Sequence, residues 1–176
     1  DGTPELGAYA NFWAAEVHYL AGEPDLGLRC ARQLEDVCRT LGDPAVLVAC
    51  RHTAQGCADL AAGRVADAIG AARAALETFA RVEQHSLGVA AVLLAEALLL
   101  AGDYPATVEA AQEAIDLSAR SLRAQYEARA HGVMARALLR RDGAAARELA
   151  AAALADAAAL IEGSGATTLV PLLCEW

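Results

Sequence analysis

Five cysteines and four histidines are the residues of this chain best suited to bind a metal or attack an electrophile. Cys30 and Cys38 stand eight residues apart, and Cys50 and Cys57 seven apart, so each pair falls on nearly one face of a helix. His52 lies between the second pair. Four thiols and an imidazole on neighbouring helices would suit a soft metal or a redox pair. The wider spacing argues otherwise. No CxxC occurs, Cys174 leaves the count odd, and zinc sites and disulfide frameworks normally show closer or paired cysteines. Free cysteine is among the most buried residue types. The expectation is therefore reduced thiols filling the seam between neighbouring helices, with no metal and no cofactor.

The other candidates for chemistry do not converge either. Glu16 and His18 are two residues apart and face different sides of a helix; His131 and Arg136, five apart, also diverge. The sequence contains no P-loop, no HExxH, no GxSxG and no GxGxxG after a strand. It reads as non-catalytic.

Charge narrows the partners. The formal net charge is −9, and the Arg140-Arg141 pair is followed at once by Asp142. A nucleic-acid reader needs a basic face to displace counterions, so nucleic acid is not an expected partner. The longest apolar stretch, Val89 to Ala101, is interrupted by Glu96 and is too short to span a bilayer. No signal peptide is visible. A cytoplasmic location away from the membrane is expected.

The elements that position these residues are helices. Hydrophobic residues make up 56% of the chain and charged residues 21%, too apolar a balance for disorder. Roughly a quarter of the residues are alanine, the best helix former. β-branched and aromatic residues are sparse, so strands have little to build from.

An internal period organises the helices. Gly63 and Gly102 open two similar turn-and-helix segments 39 residues apart; a further 39 reaches Arg141, and 41 back from Gly63 is Gly22. Nine residues after these four positions stand Ala31, Ala72, Ala111 and Ala150; twelve after stand Leu34, Ala75, Ala114 and Ala153. Each unit reads as two helices. Helix A covers about 4–21, 44–62, 86–101 and 122–140, and helix B about 24–41, 64–82, 105–119 and 144–162. Pro24 and Pro44 suit a helix start, Asp43 and Ser86 suit N-caps, and Gly42, Gly63, Gly102 and Gly163 are breakers near helix ends. A fifth helix A is expected from Ala166 into Trp176, where the chain stops inside a repeat. The expectation is one repeat domain over residues 1–176, with units at about 4–43, 44–85, 86–121, 122–165 and a partial 166–176. It starts at Asp1 rather than Met and reads as a piece of a longer protein.

Ala95, Gly102-Asp103-Tyr104 and Ala111/Ala114, with Gly56, Gly63 and Ala68/Ala72 one unit earlier, resemble the tetratricopeptide superfamily. The period of 39 exceeds its usual 34. The stretch from Ala135 to Leu139, continued from Gly163 to Leu172, is similar to the C-terminal helical arrays of bacterial signalling ATPases. These include LuxR-type activators of the maltose-regulon kind and ATPases fused to nucleotide-cyclase domains. The fold that this implies is all-α: a right-handed α-solenoid of antiparallel helix pairs, four pairs plus a partial fifth.

In that superfamily the first helices of the units line a concave groove. Carried over by position, the groove takes Tyr9, Phe12, Glu16 and Tyr19; Cys50, Thr53, Cys57 and Leu60; Val89, Val92, Glu96 and Leu99; and Ala128, His131, Ala135 and Leu138. The candidate binding residues among them are Tyr9, Phe12, Glu16, Tyr19, Thr53, Val92, Glu96 and His131. Such a surface, mostly apolar with isolated carboxylates, suits an amphipathic helix or another domain of the same protein. The alternative is that Phe12 and Trp13 cap the end of the array or pack on an upstream repeat. At the other end Leu169, Leu173 and Trp176 form a candidate end-to-end interface that a second copy would cover, giving a homodimer. The resemblance implies a protein-binding or regulatory scaffold of a bacterial signalling or transcription-regulatory protein. The competing implication is a small-molecule sensor, for example of an oligosaccharide, for which Tyr9, Glu16 and Tyr19 supply part of a site.

Overall fold

The computed structural model describes residues 3–82, 84–166, 169 and 170. These residues form an all-α helical-repeat solenoid, with no strand among them. The helices are α1 (Pro4–Leu20), α2 (Pro24–Thr40), α3 (Ala45–Ala61), α4 (Val65–Val82), α5 (Leu87–Ala101), α6 (Tyr104–Arg120), α7 (Ala124–Asp142) and α8 (Arg147–Ser164). Short 3-10 turns cover Gln84–Ser86 and Gly143–Ala146. The chain divides into two compact units, residues 1–84 with α1–α4 and residues 85–176 with α5–α8. Within each unit consecutive helices pack on one another. The helix A of one pair also packs on the helix A of the next, α1 on α3 and α5 on α7. The expected fifth helix A falls mostly on residues 167–168 and 171–176, outside those described.

The repeat register sets the core. In every helix B the buried face falls at four equivalent positions: Gly27, Ala31, Leu34 and Cys38; Ala68, Ala72, Ala75 and Phe79; Thr107, Ala111, Ala114 and Ser118; Ala146, Ala150, Ala153 and Ala157. The spacing of four, three and four keeps one stripe facing helix A. Alanine at the second position in all four, and at the third in all but α2, where Leu34 stands, lets the backbones approach closely. The approach is tight where α5 meets α6: a Cβ on Gly88 would stand 2.6 Å from Ser118 Oγ and 3.4 Å from its Cα.

The turns repeat as well. Gly22, Gly63 and Gly102 end helices α1, α3 and α5 in the left-handed region, with φ of 69°, 74° and 79°. Behind each, the next amide donates back to the carbonyl of residue 18, 59 or 98, closing the last turn. The residues on either side of two of these turns also pair through their side chains. His18 Nδ1 lies 2.7 Å from Glu23 Oε2. Arg64 donates Nε and Nη2 to Asp59 Oδ1 at 2.9 and 2.7 Å, and Gln55 Nε2 donates to the same oxygen at 2.9 Å. The acid thus stands after the turn in one repeat and before it in the next.

Four local expectations are corrected. Asp43 is not an N-cap: it follows Gly42 in the left-handed region with φ 53°, and Pro44 takes the cap position. Two successive positive-φ residues are needed to swing the chain from α2 into α3, and Asp tolerates that region better than most. Ser86 stands at the N-cap of α5 but makes no side-chain cap hydrogen bond. The cap that forms is Asp103, whose side chain accepts from the Ala106 amide at 3.2 Å. Gly163 lies inside α8, and the left-handed residue that ends that helix is Gly165, φ 70°. Helix α7 also starts two residues later than expected, at Ala124, because Leu122 has φ 56° and belongs to the turn.

Leu122 carries a prediction. It occupies the position that Gly42 fills two repeats earlier, and its side chain is 90% exposed. A left-handed conformation costs a residue with a Cβ about 1–2 kcal/mol, while glycine gives back part of that as unfolded-state entropy. Leu122→Gly should therefore stabilise the chain by about 0.5–1 kcal/mol, read as a raised urea midpoint at unchanged slope.

Candidate interaction surface

Helix α5 is apolar almost all round, and α3 and α7 bury most of their groove positions as well. In α5 the buried set runs from Gly88 through Leu93 and on through Ala95, Ala97, Leu98 and Leu99. Of the groove candidates, Phe12, Thr53 and Val92 are buried, as are Cys50, Cys57, Leu60, Val89, Ala128 and Ala135. The Thr53 hydroxyl donates to the Ala49 carbonyl at 3.1 Å, one turn back in its own helix. Glu16 is buried as well. Tyr19 and His131 are half-buried, and Tyr9 is exposed. The groove positions therefore do not form one open surface. At the far end Leu169 is buried with Ala128, Ala157 and Ile161, against α7 and α8. Leu173 and Trp176 lie outside the described residues.

Glu96 is the most strongly held of the candidates. Its carboxylate accepts three hydrogen bonds from Arg129 of α7: from Nε at 3.2 Å and from Nη2 at 3.0 and 2.8 Å to the two oxygens. The Arg129 guanidinium lies 5.9 Å from the Tyr126 ring centroid. The pair ties α5 to α7. Nothing in the local sequence signals it, because the partners are 33 residues apart.

Cys30, Cys38, Cys50 and Cys57 are in no disulfide, and among the described residues no group of three or more His, Cys, Asp or Glu could hold a metal ion. Cys38 Sγ donates to the Leu47 carbonyl at 3.4 Å across the α2–α3 seam. Burial is the main cause that pushes its thiol pKa up, so the neutral form is favoured.

Two of the half-buried histidines, His52 and His131, confer a pH dependence. Burial depresses the pKa of His52, with Arg51 adding to it. Burial also depresses His131, against the opposing pull of Asp156 and Glu127. A depressed folded pKa means that the neutral imidazole stabilises the fold. Its contribution is complete above the unfolded value of about 6.5 and is lost as pH falls through the lower folded value. Melting temperature should therefore fall between pH 7 and pH 5, and less steeply in His131→Gln.

A cleft of about 220 Å³ in the second unit is lined by Leu99, Leu100, Tyr104, Arg136 and Arg140. Ligand pockets are usually about 300–1,000 Å³, so this space is small for an oligosaccharide.

The surface that stands out lies on α1. Leu6, Tyr9, Trp13, Val17 and Leu20 are each between 37% and 64% exposed. Their spacing of three, four, four and three residues puts them within an arc of about 80° at 100° per residue. Elsewhere in the described helices large exposed apolar side chains fall one to a helix: Val82, Leu100, Leu139 and Leu149. Trp13 is supported from within, because its ring centroid is 4.6 Å from that of buried Phe12 at an interplanar angle of 56°. The groove assignment took in Tyr9 but missed Leu6, Val17 and Leu20. Their helical spacing was the available signal. No family model, curated protein or solved structure matches the chain.

Proposed function

We propose that the chain is a non-catalytic protein-binding scaffold whose working surface is the exposed apolar face of α1. One observation carries this reading: five large apolar side chains share a single stripe in solvent. Contiguous apolar surface on the order of several hundred Å² marks interaction sites on folded domains. Stacked helix pairs supply the rigid frame, since the core of each pair is fixed by close Ala-to-helix packing rather than by loops. Tryptophan and tyrosine in the middle of the stripe are the residue types that dominate binding hot spots.

The small-molecule reading loses its support here. Of the residues it would use, Glu16 is buried and Tyr19 half-buried, leaving Tyr9 alone in the open.

Site-specific photo-crosslinking tests the proposal. A benzoylphenylalanine at position 13 of the intact chain should capture a defined protein that, once identified and purified, binds the unmodified chain. The same group at exposed Ala66 of α4 should not. Equal yields at both positions, or none at position 13, would refute it.

A further inference from the structure

We infer that the α1 face docks a basic amphipathic helix from another polypeptide, an inference that rests on the protein-binding reading above. The repeat register shows what this face of a helix A is shaped to do. Forty-one residues on, Leu6, Tyr9, Trp13 and Val17 become Leu47, Cys50, Ala54 and Ala58 of α3, none more than 3% exposed. There the face is the seam that receives α2. Leu47 accepts the Cys38 thiol, and Ala58 Cα and Cβ lie 3.8 Å from where a Cβ on Gly27 would stand. In α7 the matching positions include Ala128 and Gly132, again buried. The stripe on α1 is thus the helix-receiving face of the repeat, turned to solvent.

Side-chain size separates this site from another seam of the same kind. Trp13, Val17 and Leu20 replace Ala54, Ala58 and Ala61. A helix pair stacked as closely as α2 on α3 would meet the indole and the branched chains head-on. A single helix lying along the stripe can instead set its own apolar residues between them, at a separation of about 8–10 Å. The stripe from Leu6 to Leu20 is about 21 Å long at 1.5 Å per residue, enough for four turns of partner helix.

Charge chooses the partner. Residues 1–28 contain five carboxylates, Asp1, Glu5, Glu16, Glu23 and Asp25, and no Lys or Arg; the first cation is Arg29. Glu5 lies at one end of the stripe, and Glu23 and Asp25 follow the other. A second copy of this face would bring the same carboxylates against them, and like charges across an interface are penalised. A helix with Lys or Arg on the shoulders of its apolar stripe meets the acidic ends with opposite charge.

Two synthetic 18-residue helical peptides of identical leucine stripe, one flanked by lysines and one by glutamates, decide the matter. They are titrated into the Trp176→Phe chain, so that the emission reports Trp13 alone. The lysine peptide should bind with a blue shift, and should bind at least tenfold more weakly in 0.5 M salt than in 0.05 M salt. The glutamate peptide should bind at least tenfold more weakly than the lysine peptide. Trp13→Ala should weaken the lysine peptide about thirtyfold, the scale of a hot-spot anchor, read by calorimetry at unchanged helicity. Equal affinity for the two peptides overturns the inference but leaves protein binding through α1 intact. So does crosslinking at position 13 with neither peptide bound. Self-association that Trp13→Glu abolishes overturns it in favour of a second copy.

Discussion

Glu96→Ala should destabilise the chain by about 3–5 kcal/mol, the largest loss expected from a single substitution here. The Arg129 side chain is 3% exposed and that of Glu96 14%, so removing the carboxylate takes three hydrogen bonds from a guanidinium that water hardly reaches. The penalty is mostly that of the buried charge. The attraction between the pair is largely offset by the cost of taking both ions out of water. Two further variants separate these contributions. Glu96→Gln keeps an acceptor oxygen and should lose less than Glu96→Ala. The double substitution of Glu96→Leu with Arg129→Met should return close to wild type, because two apolar side chains of similar length need no partner. Urea denaturation at constant slope measures all three. If Glu96→Ala costs less than about 1 kcal/mol, the pair behaves as an exposed one and its burial is not felt.

Ala111→Leu is expected to cost about 1–3 kcal/mol, and Ala72→Leu the same, through overpacking. Both alanines are fully buried at one register position of helix B, where the seam accepts a methyl group and little more. Three extra carbons must displace helix A or adopt a poor rotamer. Ala66→Leu, on the exposed side of α4, is the control and should stay within about 0.5 kcal/mol. Equal effects at positions 66 and 72 would contradict the packing described.

The helices B were legible in the sequence because they are amphipathic. Ala111 sits among Glu109, Gln112 and Glu113, so a period of three to four residues points at one face, and all four repeats bury that face. The helices A were legible as helices but not as faces. When Gly88 through Leu93 is apolar without interruption, the pattern says that the segment is inside, not which side meets which neighbour. The groove positions Thr53 and Val92 therefore ended in the core. Turn chemistry was read at the glycines and misread at Asp43, where a good capping residue was needed in the left-handed region instead. The Glu96–Arg129 pair was invisible for a different reason: each half looks like an ordinary charged residue until α6 is folded between them in sequence.

The helices that pack on one another, in pairs and from one helix A to the next, are never more than two elements apart in the chain. Little chain entropy has to be spent closing long loops before these contacts form. Folding should accordingly be fast, in the microsecond-to-millisecond range of low contact order. The division into residues 1–84 and 85–176 further implies that loss of structure need not be all-or-none. Amide exchange would then show two protection plateaus, with the Glu96–Arg129 tie setting the height of the second.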